Sequence, residues 1–290
     1  MTAWIIGRGG MLGRELVLLC ERKGIPFFGT DIDCDITDMN ALSAFASGKK
    51  IDWIVNCSAY TAVDRAEDEE DRAFSINATG AGNVARVAND IGASLVHLST
   101  DYVFDGSGSR PYDEEDPVSP LGAYGRTKLA GERLVSERCR QAIIIRTAWL
   151  YGEYGANFVH TMLRLFSERD KVSVVGDQKG SPTWSYDLAN FILSFVNGRI
   201  PEYGVYHFTN DGETSWYEFA CEIYRIARES GIIDREVDIV RITSDEYPSK
   251  VKRPAYSVLG KGKIRAHGVN PPRWEESIRA FLESKKIKWD

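Results

Sequence analysis

The stretch "AWIIGRGGMLG", Ala3 to Gly13, decides how the rest of the chain is read. Four apolar residues suited to a buried strand run into a turn of spaced glycines, and a helical pattern then extends from Met11 to Lys23. Gly7, Gly10 and Gly13 make a G-x-x-G-x-x-G pattern at this β-to-α junction. Glycines here permit a tight turn and the close approach of a pyrophosphate, while the helix N-terminus offers unpaired N–H groups and the positive end of its dipole. The expected cradle therefore comprises Gly7, Arg8, Gly10, Met11, Leu12 and Gly13. An acid follows at the distance a dinucleotide requires. Asp31 ends the second strand-like run, "IPFFGTD", where a carboxylate can bond the adenosine ribose. Asp31 should repel a 2′-phosphate and favour NADH, whereas Arg8 inside the loop leaves NADPH open. In "DCDITD", Asp35 and Ile36 are placed to flank an adenine. The third strand-like run ends in "NCSAYTAVD", which sets Ala59, Tyr60 and Thr61 at the carboxyl edge of the sheet beside the cofactor.

Outward from this unit, short β-rich runs alternate with longer amphipathic ones. "IDWIVNCSA" precedes a helical stretch over 71–91, "SLVHLST" leads through a polar loop to a helix over 124–138, and "AIIIRTAW" follows. These strands are continuous apolar runs, so both of their faces should be buried. Such alternation predicts a parallel sheet with helices on both sides. The expected fold is α/β: a Rossmann-type doubly wound parallel sheet with a smaller C-terminal α/β substrate-binding domain. Residues 1–150 make the nucleotide-binding domain, with segments near 180–210 returning to it, and 151–290 are mainly the substrate-binding domain. In that second part "KVSVVG", "GVYHFTN" and "VDIVRI" read as strands, and 158–168, 186–197, "SWYEFACEIYRIARESG" and 274–284 as helices. "SDEYPSKVKRPAYS" reads as irregular.

Composition narrows the function classes. The 290 residues are 43% hydrophobic and 27% charged, as in an ordinary globular protein. A net charge of -6 with dispersed lysines and arginines argues against a nucleic acid partner. No apolar run reaches the roughly 18 residues that span a bilayer, and the N-terminus lacks the layout of a signal peptide. The five cysteines are odd in number, none has CxxC spacing, and the four histidines are scattered, so no metal site is expected. Free thiols of this kind suit the reducing cytoplasm.

The loop after the fourth strand ends in "AYGRTKLAGE", giving Tyr124-x-x-x-Lys128. Residues four apart share one face of a helix. A nearby ammonium favours the phenolate and is expected to pull the Tyr124 phenol down from about 10. A tyrosine so tuned can pass a proton to or from a carbonyl or alcohol oxygen. Thr100, at the end of the strand before, can hold that same oxygen with its hydroxyl.

Further segments extend the pattern over nearly the whole chain: "NCSAYTAVDRAE", "LSTDYVFDG", "PYDEEDPVSPLGAYGRTKLAGE", "RTAWLYGEYGANFV", "GDQKGSPTWSYDLA" and "KRPAYSVL". With the glycine loop, they resemble the extended short-chain dehydrogenase/reductases and, within them, the dTDP-4-dehydrorhamnose reductase family. The resemblance implies reduction of the 4-keto group of dTDP-4-dehydro-β-L-rhamnose by NADH or NADPH, giving dTDP-L-rhamnose. It implies that Tyr124 is the proton donor, that Lys128 tunes it and contacts the nicotinamide ribose, and that Thr100 positions the keto oxygen. Asp101 and Tyr102 match the family's sugar-contacting acid and aromatic, and Trp149 a further contact, the alternative for Trp149 being a core residue. Arg253 in "KRP" either faces the diphosphate or is an exposed arginine. Asn157 either lines the sugar pocket or caps the next helix. Members of the family can be dimers and some use Mg2+ there, although this sequence offers no metal constellation. Other nucleotide-sugar epimerases and reductases share these features, as does a non-catalytic NAD(P)-binding regulatory subunit resembling that of methionine adenosyltransferase. Tyr102 stands where a dehydratase of this group needs a carboxylate base, which argues against elimination.

Overall fold

The computed structural model of the chain describes residues 1–198, 200 and 202–284. Positions 199 and 201, within the stretch near 180–210, and 285–290, at the end of the C-terminal part, lie outside the described residues. The first half alternates strands and helices: β1 (Ala3–Ile6), α1 (Met11–Lys23), β2 (Phe27–Thr30), α2 (Met39–Ala46), β3 (Trp53–Asn56), α3 (Val63–Ala66), α4 (Glu70–Phe74), α5 (Ala81–Ile91), β4 (Ser94–Thr100), α6 (Ala123–Arg138) and β5 (Ala142–Thr147). The second half continues with β6 (Leu150–Tyr151), α7 (Phe158–Glu168), β7 (Lys171–Val175), β8 (Lys179–Gly180), β9 (Thr183–Trp184) and α8 (Ser185–Val196). After these come β10 (Gly204–His207), β11 (Thr214–Ser215), α9 (Trp216–Glu229), β12 (Asp238–Ile242), α10 (Gly262–Ala266) and α11 (Trp274–Glu283).

The apolar runs become a six-stranded parallel sheet in the order β10-β5-β4-β3-β1-β2. Every residue of β1 and β3 is buried, as strands covered on both faces must be. One face carries α1 and α8, with Leu12, Leu16, Leu188 and Ile192 in a common core; the other carries α2, α5 and α6 over Trp4, Ile54 and Leu95. The chain leaves β1 for β2 on one side and returns to β3 on the other. A crevice opens at such a switch point beyond the carboxyl ends of the strands. Gly7 and Cys57 follow those two ends, so the crevice forms beside the glycine loop. The register Thr100↔Thr147 closes the other end of the same edge.

One segment departs from its sequence pattern. The helical stretch over 71–91 is interrupted by a π-helical turn, Ser75–Gly80, between α4 and α5. That turn lets the Asn77 amide leave the helix: it donates to Tyr60 O at 3.1 Å and Thr127 Oγ1 at 3.1 Å, and accepts from Tyr60 N at 2.8 Å. Single π-turns often mark such local functional demands.

The second half has its own core, in which α7, α9 and α11 pack around Phe166, Phe219, Ile223 and Phe281, beside the parallel pair β7 and β12. Strand β10 joins the main sheet beside β5, and α8 packs on α1, so the polypeptide crosses between the two cores more than once. Two-residue pairs, β6 with β9 and β8 with β11, line the seam. The irregular segment after β12 reaches back to α3, where Ser249 and Arg253 bond Asp64. Among the described residues no helix is long and apolar enough to cross a membrane.

Candidate active site

The glycine loop is shaped by backbone contact. Gly7 adopts φ +79°, which L side chains rarely accept. A Cβ on Gly13 would fall 2.0 Å from the Gly7 carbonyl oxygen, so only glycine lets α1 start this close to β1. Gly10 caps α1 without a side-chain bond and the first turn holds no acid. The free N–H groups and dipole of α1 therefore face the crevice uncompensated, a setting that favours an anion such as a pyrophosphate. Two adjoining cavities flank this loop and share Gly10, Cys57 and Ala59 in their walls.

The first cavity, about 550 Å3, is walled by Gly7, Asp31, Asp35 and Ile36 among others. The Asp31 carboxylate is already part of the loop, accepting from Gly9 N at 2.5 Å and Ile32 N at 3.0 Å. Asp35 accepts from Thr37 N and its hydroxyl, which fixes the turn around Ile36. Arg8 lies outside the wall, across Gly29, with its guanidinium 3.8 Å from Asp33. Tyr60 also departs from expectation. Ala59 and Thr61 line the second cavity, but Tyr60 is buried with Ala66, Ala73 and Ala123, and its hydroxyl is spent on Glu69 at 3.0 Å. The ring packs away from the crevice, against α3, α4 and the start of α6.

The second cavity, about 530 Å3, gathers Met11, Leu12 and Gly13 with Thr100, Asp101, Tyr102, Tyr124, Lys128 and Trp149. Thr100 ends β4 and caps the 3-10 turn Asp101–Val103. Its hydroxyl accepts from Tyr102 N at 3.2 Å and donates to Asp101 Oδ1 at 3.0 Å. Helix α6 comes in close because Gly125 has no side chain: a Cβ there would sit 2.2 Å from the Tyr102 carbonyl oxygen. Tyr124 then meets Tyr102 edge-to-face, with ring centroids 5.4 Å apart. Lys128 is buried and its Nζ donates to Leu98 O at 2.5 Å.

Electrostatics in this cavity run against one expectation. Desolvation pushes the Tyr124 phenol up to about 12, although its hydrogen bond with Thr100 works the other way. Lys128 is not among the groups that shift it, and burial pulls the lysine itself down to about 8. Burial also pushes Asp101 up to about 6, against bonds from Ser257 and Thr100. Its Oδ2 is buried without a partner among the described residues, an acceptor left over for a ligand hydroxyl. The Tyr102 phenol is raised mainly by burial and next by Asp101, while the Arg253 guanidinium draws it down.

Trp149 has φ +49°, a left-handed conformation rare for a bulky residue. Its indole stacks on Trp216 at 3.5 Å and 11°, and Trp216 meets Phe158 at 4.6 Å. Trp149 thus stands at the cavity edge rather than inside a core. Beyond this stack lies a third cavity of about 370 Å3, walled by Phe158, Val174, Trp216, Tyr247 and Arg253. Arg253 is partly buried and bonds Asp64 at 3.1 Å. Asn157 takes the capping alternative: it accepts from His160 N at 3.1 Å and donates to Gly152 O and Gly155 O, which commits its amide away from the second cavity. Trp216, Phe158, Ser257 and Gly125 were not singled out from the sequence. Trp216 and Phe158 read as the first residues of amphipathic helices, and Ser257 and Gly125 lie within quoted segments without a distinguishing pattern. Among the described residues no group of three or more His, Cys, Asp or Glu is placed to hold a metal.

The chain matches the family described as "RmlD substrate binding domain" over residues 1–287. It belongs to that family. A curated relative, the dTDP-4-dehydrorhamnose reductase of Aggregatibacter actinomycetemcomitans, is 40% identical over 96% of this chain and 98% of its own length. A dTDP-4-keto-6-deoxy-D-glucose reductase of Streptomyces niveus is 43% identical over 95% of this chain and 94% of its own. Among solved structures, the dTDP-4-dehydrorhamnose reductase of Bacillus anthracis in complex with NADP superimposes with a TM-score of 0.92 at 38% identity, covering 98% of this chain and 99% of that one.

Proposed function

We propose that this protein is a nicotinamide-dependent reductase that converts the 4-keto group of dTDP-4-dehydro-β-L-rhamnose to the alcohol, giving dTDP-L-rhamnose. The observation that carries this reading is the second cavity. It brings the uncapped N-terminus of α1, the Thr100–Tyr124–Lys128 set and the partnerless oxygen of Asp101 into one wall. The glycine loop and α1 hold the pyrophosphate, Asp31 the adenosine ribose and Ile36 the adenine, while Lys128 faces the nicotinamide ribose. The bound nicotinamide supplies the hydride. Tyr124 supplies the proton to the keto oxygen, and its elevated phenol keeps that proton in place at neutral pH until the oxygen gains charge. The Thr100 hydroxyl orients the same oxygen. The Lys128 ammonium stabilises the phenolate left behind.

Substrate recognition follows from the same wall. Asp101 accepts sugar hydroxyls, Tyr102 and Trp149 bound the ring, and Arg253 meets the diphosphate as a donor of paired bonds. The third cavity, beyond the Trp149–Trp216 stack, then receives the nucleoside end. Residues 1–150, with the returning segments near 180–210, hold the cofactor, and 151–290 mainly the sugar nucleotide. The free cysteines among the described residues support a reducing, cytoplasmic setting. NADH is preferred because Asp31 opposes a 2′-phosphate, while Arg8, whose guanidinium neighbours Asp33, leaves NADPH open.

Steady-state oxidation of NADH and NADPH against a panel of dTDP- and UDP-linked 4-keto sugars tests this. The expected result is stoichiometric NADH consumption with dTDP-4-dehydrorhamnose. No turnover with either cofactor, or turnover without net NADH loss, overturns the reductase reading; a large NADPH preference overturns the role given to Asp31.

A further inference from the structure

Glu132 lines none of the three cavities, yet it is built into the strand and helix that carry the reacting groups. We propose that Glu132 is a positioning residue for this reaction: held by Arg146 and Ser99, its carboxylate locks helix α6 against strand β4 and places a negative charge one turn behind the Lys128 ammonium. This inference rests on the ketoreductase reading of the same site.

Tyr124, Lys128 and Glu132 follow one another at four-residue intervals on α6 and therefore share a face. Glu132 is 4% exposed and Arg146, from β5, is equally buried. Arg146 grips the carboxylate with two bonds, Nε to Oε1 at 3.0 Å and Nη2 to Oε2 at 2.8 Å. The Ser99 hydroxyl donates to Oε1 at 2.5 Å. Ser99 directly precedes Thr100, so one carboxylate ties the residue next to Thr100 to the helix that bears Tyr124 and Lys128. A buried ion pair is poor value as a stabiliser, because desolvating two charges offsets their attraction. Its placement at this junction calls for a different reason, and register supplies it.

Charge supplies a second. Lys128 Nζ is bonded to a neutral carbonyl, which leaves its charge uncompensated. Burial pulls the lysine down, and the group acting in the opposite direction is Glu132. Among the described residues, Glu132 is the group whose charge raises Lys128. From β4, His97 is bonded to Asn56 and held neutral by burial and by Lys128 itself. The Ser75–Gly80 turn presents Asn77, which does not titrate. Asp101 acts on Tyr124, raising its phenol, and is not among the groups that shift Lys128. Behind Glu132, Arg146 reaches His207 Nε2 at 3.4 Å, and burial followed by Arg146 lowers that imidazole to about 3, so it too is neutral.

The test compares wild type with E132Q, R146M and the double variant E132Q/R146M. Two quantities are read: the pH at which kcat falls on the alkaline side, and the titration of the Lys128 Nζ by NMR in lysine-15N protein, assigned with K128M. Removing the carboxylate alone leaves Arg146 behind and should move both midpoints down by roughly one pH unit. Removing the guanidinium alone should move both up. The double variant removes both halves of the Glu132–Arg146 pair, so it remains informative if either single variant fails to fold, and it should shift both midpoints down by a smaller amount. Unmoved midpoints in the double variant, or shifts of the same sign in the two single variants, overturn the proposal. The NMR titration needs no turnover, so the charge placement is read even if the wild type does not oxidise NADH, the outcome that defeats the ketoreductase reading alone.

Discussion

Two walls of the cleft are built in opposite ways. The wall from β4 and α6 sets Thr100, Asp101 and Lys128 at 4%, 2% and 2% exposure, with each polar group aimed by short bonds within the wall. The facing rim, where the segment after β12 crosses to α3, is held by ion pairs open to water. There the side chains of Asp64, Lys250 and Asp68 are 46%, 67% and 60% exposed. Low dielectric makes charges in the first wall strong and costly, whereas solvent makes those on the rim weak and easily exchanged. The proposed proton transfer, which needs fixed proton positions, draws on the dry wall. The Arg253–Asp64 pair, with Asp64 46% exposed, belongs to the wet one.

The contrast is broken most sharply at Tyr124. Tyr124→Phe should lower kcat by roughly two to four orders of magnitude, the range for a positioned acid, while cofactor binding by fluorescence titration is retained. Near-normal turnover would remove the phenol from its role and with it the argument that the dry wall carries the chemistry.

The next effect concerns stability. Asp101 has a folded-state pKa of about 6, above its ordinary value, so the folded protein holds this proton more tightly than the unfolded chain. The cost of ionising it is absent below about pH 4, grows between about 4 and 6, and is full above that window. Asp101→Asn should therefore match wild type at pH 4 and exceed it at pH 8 by up to about 3 kcal/mol, at the expense of substrate affinity. Urea unfolding at both pH values reads this; a difference independent of pH would show that the carboxylate is not strained by burial.

The smallest effect belongs to the rim. Lys250→Ala removes the 2.7 Å pair with Asp68 and should barely move the urea midpoint, a change that 0.5 M salt erases in the wild type. A large drop in the midpoint, insensitive to salt, would mean that the rim is as rigid as the wall opposite.

Much of this architecture was legible along the chain. Helices α1 and α7 begin and end where their apolar periodicity does, and the buried strands coincide with the continuous apolar runs. Local signals do not reach further. The π-turn at Ser75–Gly80 is set by the demand of Asn77 for partners on Tyr60 and Thr127, the latter 50 residues away. Tyr60 read as a neighbour of the cofactor because it follows the carboxyl end of the third strand, but its side chain packs with Ala66, Ala73 and Ala123. The phenol of Tyr124 read as lowered because lysine spacing is visible in sequence and desolvation is not.

What the sequence by itself determined is whatever depends on near neighbours: a glycine spacing that only one loop geometry fits, the alternation that makes a parallel sheet, and a tyrosine and lysine one turn apart. What only the tertiary structure decided is how these groups are charged and held. The empty acceptor of Asp101, the Arg146–Glu132–Ser99 clamp and the Trp149–Trp216 stack each join parts of the chain brought together by folding. Solvation and long-range pairing set proton affinity and register, and both exist only once the chain has closed around them.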